Sequence, residues 1–178
     1  KGNLQVLVDK VEENTKGSQG IGHTRWATHG KPSDENAHPH ISTNGRYCLV
    51  HNGIIENYNE LKKELKEKGY SFLSETDSEV VVNLFEDLGD GDLLSTAMKV
   101  TKRLEGSYAL CVIDKEDEDE FLVVRKDSPL VVGIGEGENF IASDIPAILE
   151  YTKNIYILDD GEMALIKRDS VEIYDKEG

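Results

Sequence analysis

A chain of 178 residues, 38% hydrophobic and 31% charged, has the composition of an ordinary globular domain that can bury a core without disulfide or metal staples. Twenty Lys and Arg against 35 Asp and Glu leave a net charge of −15, which argues against a nucleic acid or an anionic membrane as partner but leaves small charged ligands open. There is no long apolar stretch and no signal pattern, so the expected location is the cytoplasm.

Asn3 before Leu4, Leu7, Val8 and Val11 predicts a short capped helix ending near Asn14, followed by a connector over residues 16–20. Residues 21–26 read as a strand, and residues 27–45, with two prolines, as a long loop of the kind that carries function. Residues 47–50 form a buried strand. Asn57 is set to cap a helix with Leu61 and Leu65 on one face and Gly69 as its stop. Residues 70–73 read as a further strand, and Asp77 as the cap of a helix that turns Val80, Val81, Leu84, Phe85 and Leu88 inward. A third helix carries Leu93, Leu94, Ala97, Met98, Val100 and Leu104.

From Gly106 the hydrophobic period changes to two. Strands are predicted over 107–113, 121–125, 130–134 and 139–143, then a helical turn at 145–150. Three more strands are predicted at 155–158, 162–167 and 171–174, the first two joined by an Asp160-Gly161 hairpin turn. Helices lying between sets of antiparallel strands, without βαβ alternation, predict one α+β layered domain. Cys48 and Cys111 sit in apolar runs and read as buried free thiols.

The residues suited to chemistry concentrate before position 80. Asn52-Gly53 ends an apolar run; the pair is also a preferred two-residue hairpin turn. The next residues, Ile54-Ile55-Glu56-Asn57, lead into a helix, and a side-chain amide beside a Gly N–H can hold a developing oxyanion. Arg25 has the shape to grip a carboxylate. All five histidines fall between His23 and His51, but without familiar ligand spacing or an accompanying cysteine, so no metal and no cofactor is expected. Asp77, at a helix start, could receive a substrate ammonium. The Gly133-Ile134-Gly135-Glu136-Gly137 run lacks the Lys-Ser/Thr of a phosphate loop and reads as a hairpin turn.

Several segments match a known family in order and spacing: Gly22-His23-Thr24-Arg25-Trp26-Ala27-Thr28-His29-Gly30, Asn36-Ala37-His38-Pro39-His40, His51-Asn52-Gly53-Ile54-Ile55-Glu56-Asn57, Ser74-Glu75-Thr76-Asp77 and Gly137-Glu138-Asn139-Phe140-Ile141-Ala142-Ser143-Asp144. Together they resemble the glutaminase domain of the glutamine–fructose-6-phosphate aminotransferases, within the N-terminal-nucleophile amidotransferases. The resemblance implies two antiparallel sheets sandwiched between helix layers. It implies hydrolysis of L-glutamine, with ammonia passed to a sugar-phosphate isomerase domain of the same, homo-oligomeric parent polypeptide to make glucosamine 6-phosphate from fructose 6-phosphate. Carried over by position, Arg25 holds the α-carboxylate, Asp77 the α-ammonium, and Asn52 and Gly53 the oxyanion. Trp26, Thr28, His29 and His38 lie on the loop that closes over substrate, with Trp26 also bordering the route for ammonia.

In that family the nucleophile is an N-terminal cysteine. Lys1 cannot replace it, and Cys48 and Cys111 lie in the wrong context. The expectation is therefore residues 1–178 of a glutaminase domain incomplete at its N-terminus, without isomerase domains and inactive on its own. Two alternatives stand beside it: a glutaminase serving another acceptor, as in the amidophosphoribosyltransferases, and a non-catalytic glutamine- or glutamate-binding module.

Overall fold

The computed structural model describes residues 3–9, 17–26 and 28–178. Helix α1 is a single turn and a half, Leu4–Val8, with Asn3 capping it by accepting from the Val6 N–H. Its further extent toward Val11 and Asn14 lies outside the described residues. The predicted strand over residues 21–26 is absent: the segment is irregular, with Arg25 in the left-handed region at φ 47° and its N–H taken by the His23 ring.

The strands form two antiparallel sheets. The larger contains β1 (His40–Ile41), β2 (Tyr47–Ile55), β3 (Gly106–Asp114), β4 (Glu120–Lys126), β8 (Met163–Lys167) and β9 (Val171–Tyr174), in the order β1-β2-β3-β4-β8-β9. The smaller has the order β6-β5-β7, from β5 (Val131–Ile134), β6 (Asn139–Ala142) and β7 (Asn154–Ile157). Between β2 and β3 the chain forms α2 (Tyr58–Glu67), α3 (Asp77–Leu88) and α4 (Leu93–Thr101).

Strand alternation builds two cores from the same sequence. Leu49, Tyr108, Leu110, Val112, Leu122, Val124 and Met163 face one side, where Leu65, Val81, Leu84, Phe85, Ala97 and Val100 of the three helices cover them. Val50, Ala109, Cys111, Val123, Ala164 and Ile166 face the other side, against Leu130, Val132 and Leu158 from the smaller sheet. A helix layer on a sheet that in turn packs on a second sheet is the α+β layering expected from the hydrophobic pattern. Both cysteines are free, and burial pushes both thiols up.

One alternative reading is excluded and two local expectations are corrected. Asn52-Gly53 makes no turn: β2 runs through it to Ile55, with Asn52 opposite Ala109 and Gly53 opposite Tyr108. Residues 70–73 form no strand, because the buried Glu79 carboxylate takes the Leu73 and Ser74 N–H groups at 2.8 and 2.7 Å. Asp160-Gly161 joins no hairpin, since β7 pairs with β5 in the smaller sheet while β8 pairs with β4 and β9 in the larger.

Candidate functional site

A cleft of about 270 Å³ opens where the C-terminal end of β2, the N-terminus of α3 and the irregular segments before β1 meet. Arg25, Trp26, Thr28, His29, His38, Asn52, Gly53 and Asp77, all singled out from sequence, line this one cleft together. His23, His51, Ile54, Thr76, Ser78 and Ser107 complete it.

Strand β2 sets the floor. In an antiparallel strand the N–H groups alternate between edges, so those of residues 51, 53 and 55 share one edge. The His51 N–H donates to His38 Nδ1 at 3.3 Å, and the Ile55 N–H donates to Asp77 Oδ2 at 2.9 Å. Gly53 lies between them. It adopts φ 118°, and a Cβ there would overlap the Ser107 carbonyl, so only glycine lets β2 and β3 approach this closely.

Helix α3 brings Asp77. The side chain that caps the helix is Thr76, accepting from the Glu79 N–H, which leaves Asp77 as the first helical residue and corrects its expected capping role. Asp77 is only 3% exposed, yet one of its oxygens is spoken for by Ile55 alone. The other, Oδ1, has His29 Nδ1 at 3.8 Å, too far for a hydrogen bond. A buried carboxylate oxygen at a helix N-terminus, turned to a cleft, suits a ligand cation. Asn57, expected to cap α2 through its side chain, instead bridges to the α4–β3 connection by donating to the Arg103 carbonyl and accepting from the Glu105 N–H.

Arg25 is half-buried, and its guanidinium already serves the loop. Nη1 donates to the Lys31 carbonyl at 3.2 Å, and Nη2 donates to those of His29 and Gly30 at 2.6 and 3.1 Å. Three of five N–H donors are thus used, and two are left for a ligand. Asn36, 2% exposed, ties the same loop to the segment before α3: it donates to the Lys31 carbonyl and accepts from the Glu75 N–H. Trp26 stands at the rim, 92% exposed.

The histidines form one packed group. His23 stacks on His38 with ring centroids 4.3 Å apart, and His38 meets His40 edge-on at 4.9 Å. Since His38 Nδ1 accepts from a backbone N–H, its proton sits on Nε2, facing Ser78 Oγ at 3.4 Å. Ser78 in turn lies 2.9 Å from His51 Nδ1. Burial holds His38 at about 2 and His51 at about 4, so both are neutral. Among the described residues no group of three or more His, Cys, Asp or Glu has the geometry to hold a metal ion. Neither cysteine lines the cleft.

His23, His51 and Ser78 had no assigned role in the sequence. Ser78 comes directly after Asp77 in the first turn of α3, and His23 precedes Arg25 by two positions, but both are recognisable only once β2 and α3 are seen to converge.

The family profile of the glutamine amidotransferase domain matches residues 8–172. The glutamine–fructose-6-phosphate aminotransferase (isomerizing) of Caldanaerobacter subterraneus subsp. tengcongensis is 60% identical over 98% of this chain and 29% of its own length. That of Aquifex aeolicus is 54% identical over the whole of this chain and 30% of its own length. The chain therefore spans about three-tenths of these relatives. Among solved structures, the glutamine phosphoribosylpyrophosphate amidotransferase of B. subtilis, complexed with ADP and GMP, superposes with a TM-score of 0.73 at 27% identity, covering 86% of this chain and 34% of that one.

Proposed function

The chain belongs to the glutamine amidotransferase domain family, and from that premise we propose that it is the glutamine-binding, oxyanion-stabilising body of a glutaminase that feeds ammonia to an aminosugar synthase. The observation that carries this reading is the meeting of Arg25, Asp77, Asn52 and Gly53 in one cleft.

L-Glutamine lies across the cleft with its α-ammonium on Asp77 Oδ1 and its α-carboxylate on the two remaining N–H donors of Arg25. Its carboxamide then rests over the end of β2. A thiolate attacks the amide carbon, a C–S bond forms, and the carbonyl electron pair moves onto oxygen, where the Asn52 amide and the Gly53 N–H receive it. As the intermediate collapses, the proton originally removed from the thiol is returned to the amide nitrogen by the group that accepted it, the C–N bond breaks and ammonia leaves. Water then hydrolyses the thioester to glutamate and regenerates the thiol. One oxyanion donor of this kind contributes about 3 kcal/mol to transition-state stabilisation. Burial keeps the Cys48 and Cys111 thiols protonated and neither lines the cleft, so the nucleophile is supplied by residues outside this set, an N-terminal cysteine by the family resemblance.

The acceptor is fructose 6-phosphate, bound by an isomerase domain of the parent polypeptide. The high identity to the aminosugar enzymes favours it over a phosphoribosyl acceptor.

The test is glutamate release from L-glutamine, by these 178 residues and by a polypeptide that also carries the N-terminal cysteine. Turnover in the second alone is the expected result. Robust turnover by the 178 residues would refute the assignment of the nucleophile, and none in either would refute the glutaminase reading.

A further inference from the structure

Asn52 can stabilise an oxyanion only if its amide nitrogen, not its oxygen, faces the reacting carbonyl. An unconstrained carboxamide turns either end to a ligand, and only one end donates. The structure contains a device that makes the choice. Asn52 Oδ1 lies 2.6 Å from His23 Nε2, and the backbone N–H of Arg25 donates to His23 Nδ1 at 2.8 Å.

A backbone N–H is always a donor, so His23 Nδ1 must be the acceptor and carry no proton. The neutral ring then has its proton on Nε2. A donor at Nε2 requires an acceptor opposite, which makes the facing Asn52 atom the carbonyl oxygen. Asn52 Nδ2 is thereby turned away from His23, and among the described residues no acceptor is paired with it. The chain of orientation runs from a backbone amide, through one imidazole tautomer, to the side chain at the end of β2. Stacking on His38 holds the His23 ring in that plane.

We propose that His23 is a positioning residue that fixes the Asn52 amide in its donating orientation through an Nε2–H···Oδ1 hydrogen bond, its tautomer set by the Arg25 backbone N–H. This rests on the glutaminase reading above. Because Arg25 N belongs to the residue assigned to the substrate carboxylate, the same contact ties the oxyanion donor to the carboxylate-binding segment. A ligand that pulls Arg25 out of place therefore also loosens Asn52.

Two substitutions separate the halves of this device. A glutamine carries its amide nitrogen about as far from Cα as His Nε2, and can still donate to Asn52. An asparagine reaches only as far as Nδ1, accepting from Arg25 but leaving Asn52 free to turn. In the full-length polypeptide, His23→Asn is expected to lower kcat for glutamine hydrolysis about 100-fold, approaching the loss of the donor itself, with KM within about 2-fold. His23→Gln should recover most of that loss. In an Asn52→Ala background, His23→Asn should cost less than about 2-fold, because the group it orients is gone.

An undiminished kcat in His23→Asn overturns the proposal, as does a loss that persists at full size in Asn52→Ala. Nitrogen-15 imidazole spectra of the 178-residue chain decide the geometry independently of activity. Protonated Nε2 with unprotonated Nδ1 at His23 supports it, and the opposite tautomer or a cation overturns it. If the full-length polypeptide fails to hydrolyse glutamine at all, the glutaminase reading falls, while the spectra still judge the orientation of Asn52.

Discussion

Asp77→Asn isolates the contact assigned to the ligand's ammonium. The asparagine Oδ1 can still accept from the Ile55 N–H, which Asp77 now receives at 2.9 Å, so the junction of β2 and α3 is retained. What changes is the second oxygen, Oδ1, which faces the cleft with His29 Nδ1 no nearer than 3.8 Å. It becomes an NH₂ group that repels an ammonium. A charge-assisted hydrogen bond in a buried setting contributes about 1.5–3 kcal/mol, which converts to roughly a 10- to 150-fold weaker Kd. Loss of the acidic group at the first position of α3 adds a stability penalty of about 0.3–1 kcal/mol through the helix dipole. Calorimetry on the 178-residue chain with two ligands tells these apart: L-glutamate, and glutarate, which lacks the ammonium. The wild type should prefer glutamate, and Asp77→Asn should lose that preference while binding glutarate nearly unchanged. Equal weakening toward both ligands would refute the assignment, because it would mean that Asp77 only holds α3 in place. So would unaltered affinity for glutamate.

Two further outcomes test the supports of the cleft. Glu79 is buried and accepts from the Leu73 N–H, the Ser74 N–H and the Ser74 hydroxyl at 2.8, 2.7 and 2.6 Å, so Glu79→Gln turns an NH₂ toward donors. The expected cost is about 1.5–3 kcal/mol, or a Tm lower by roughly 3–12 °C in a thermal melt; an unchanged Tm would show that the segment before α3 is held by other means. Burial keeps His38 at about 2 and His51 at about 4 in the folded state, against 6.5 for a free imidazole, so below pH 6.5 the unfolded chain binds protons that the folded chain refuses. Stability should thus be full above about pH 6.5 and fall as pH drops toward 4, with a shallower fall in His38→Gln. Denaturant midpoints from pH 7 to 4.5 measure it, and a flat profile would contradict the neutral, buried state of both rings.

The parts of the fold that could be read from sequence are those in which local pattern and tertiary environment agree. Leu61 and Leu65 in α2 and Val80, Val81, Leu84 and Phe85 in α3 are buried as their periodicity indicates, and β3 and β4 send alternate residues into the two cores. The misread segments are those where a distant side chain took over the backbone. Residues 70–73 have strand-like composition, but Glu79 claims the amides of Leu73 and Ser74 before a neighbouring strand can. Residues 21–26 look extended, but the His23 ring captures the Arg25 amide and turns the chain. Asn52-Gly53 is not among the misread segments: its turn signature is only the rival reading, and Ala109 and Tyr108, far along the chain, exclude it by offering a full ladder. The cleft was legible as a set of residues because its motifs are specific. Its wiring was not: whether Arg25 is free or held by three carbonyls, and which end of Asn52 faces inward, depends on contacts that no spacing encodes.

The placement of Asn52 and Gly53 inside β2 has a consequence for how the site fails. All nine residues of β2 pair with β3, from Tyr47 opposite Asp114 to Ile55 opposite Gly106, and Arg46 clasps the buried Asp114 carboxylate at one end with two nitrogens. The loop that bears Arg25 has no such ladder and depends on a handful of side-chain staples. On warming or in mild denaturant, the β2 amide hydrogens bonded to β3 should exchange only with global opening, while those of the loop should exchange through local opening at lower free energy. On the proposed reading, ligand affinity should then be lost first, while Asn52 and Gly53, the proposed oxyanion donors, are still in register.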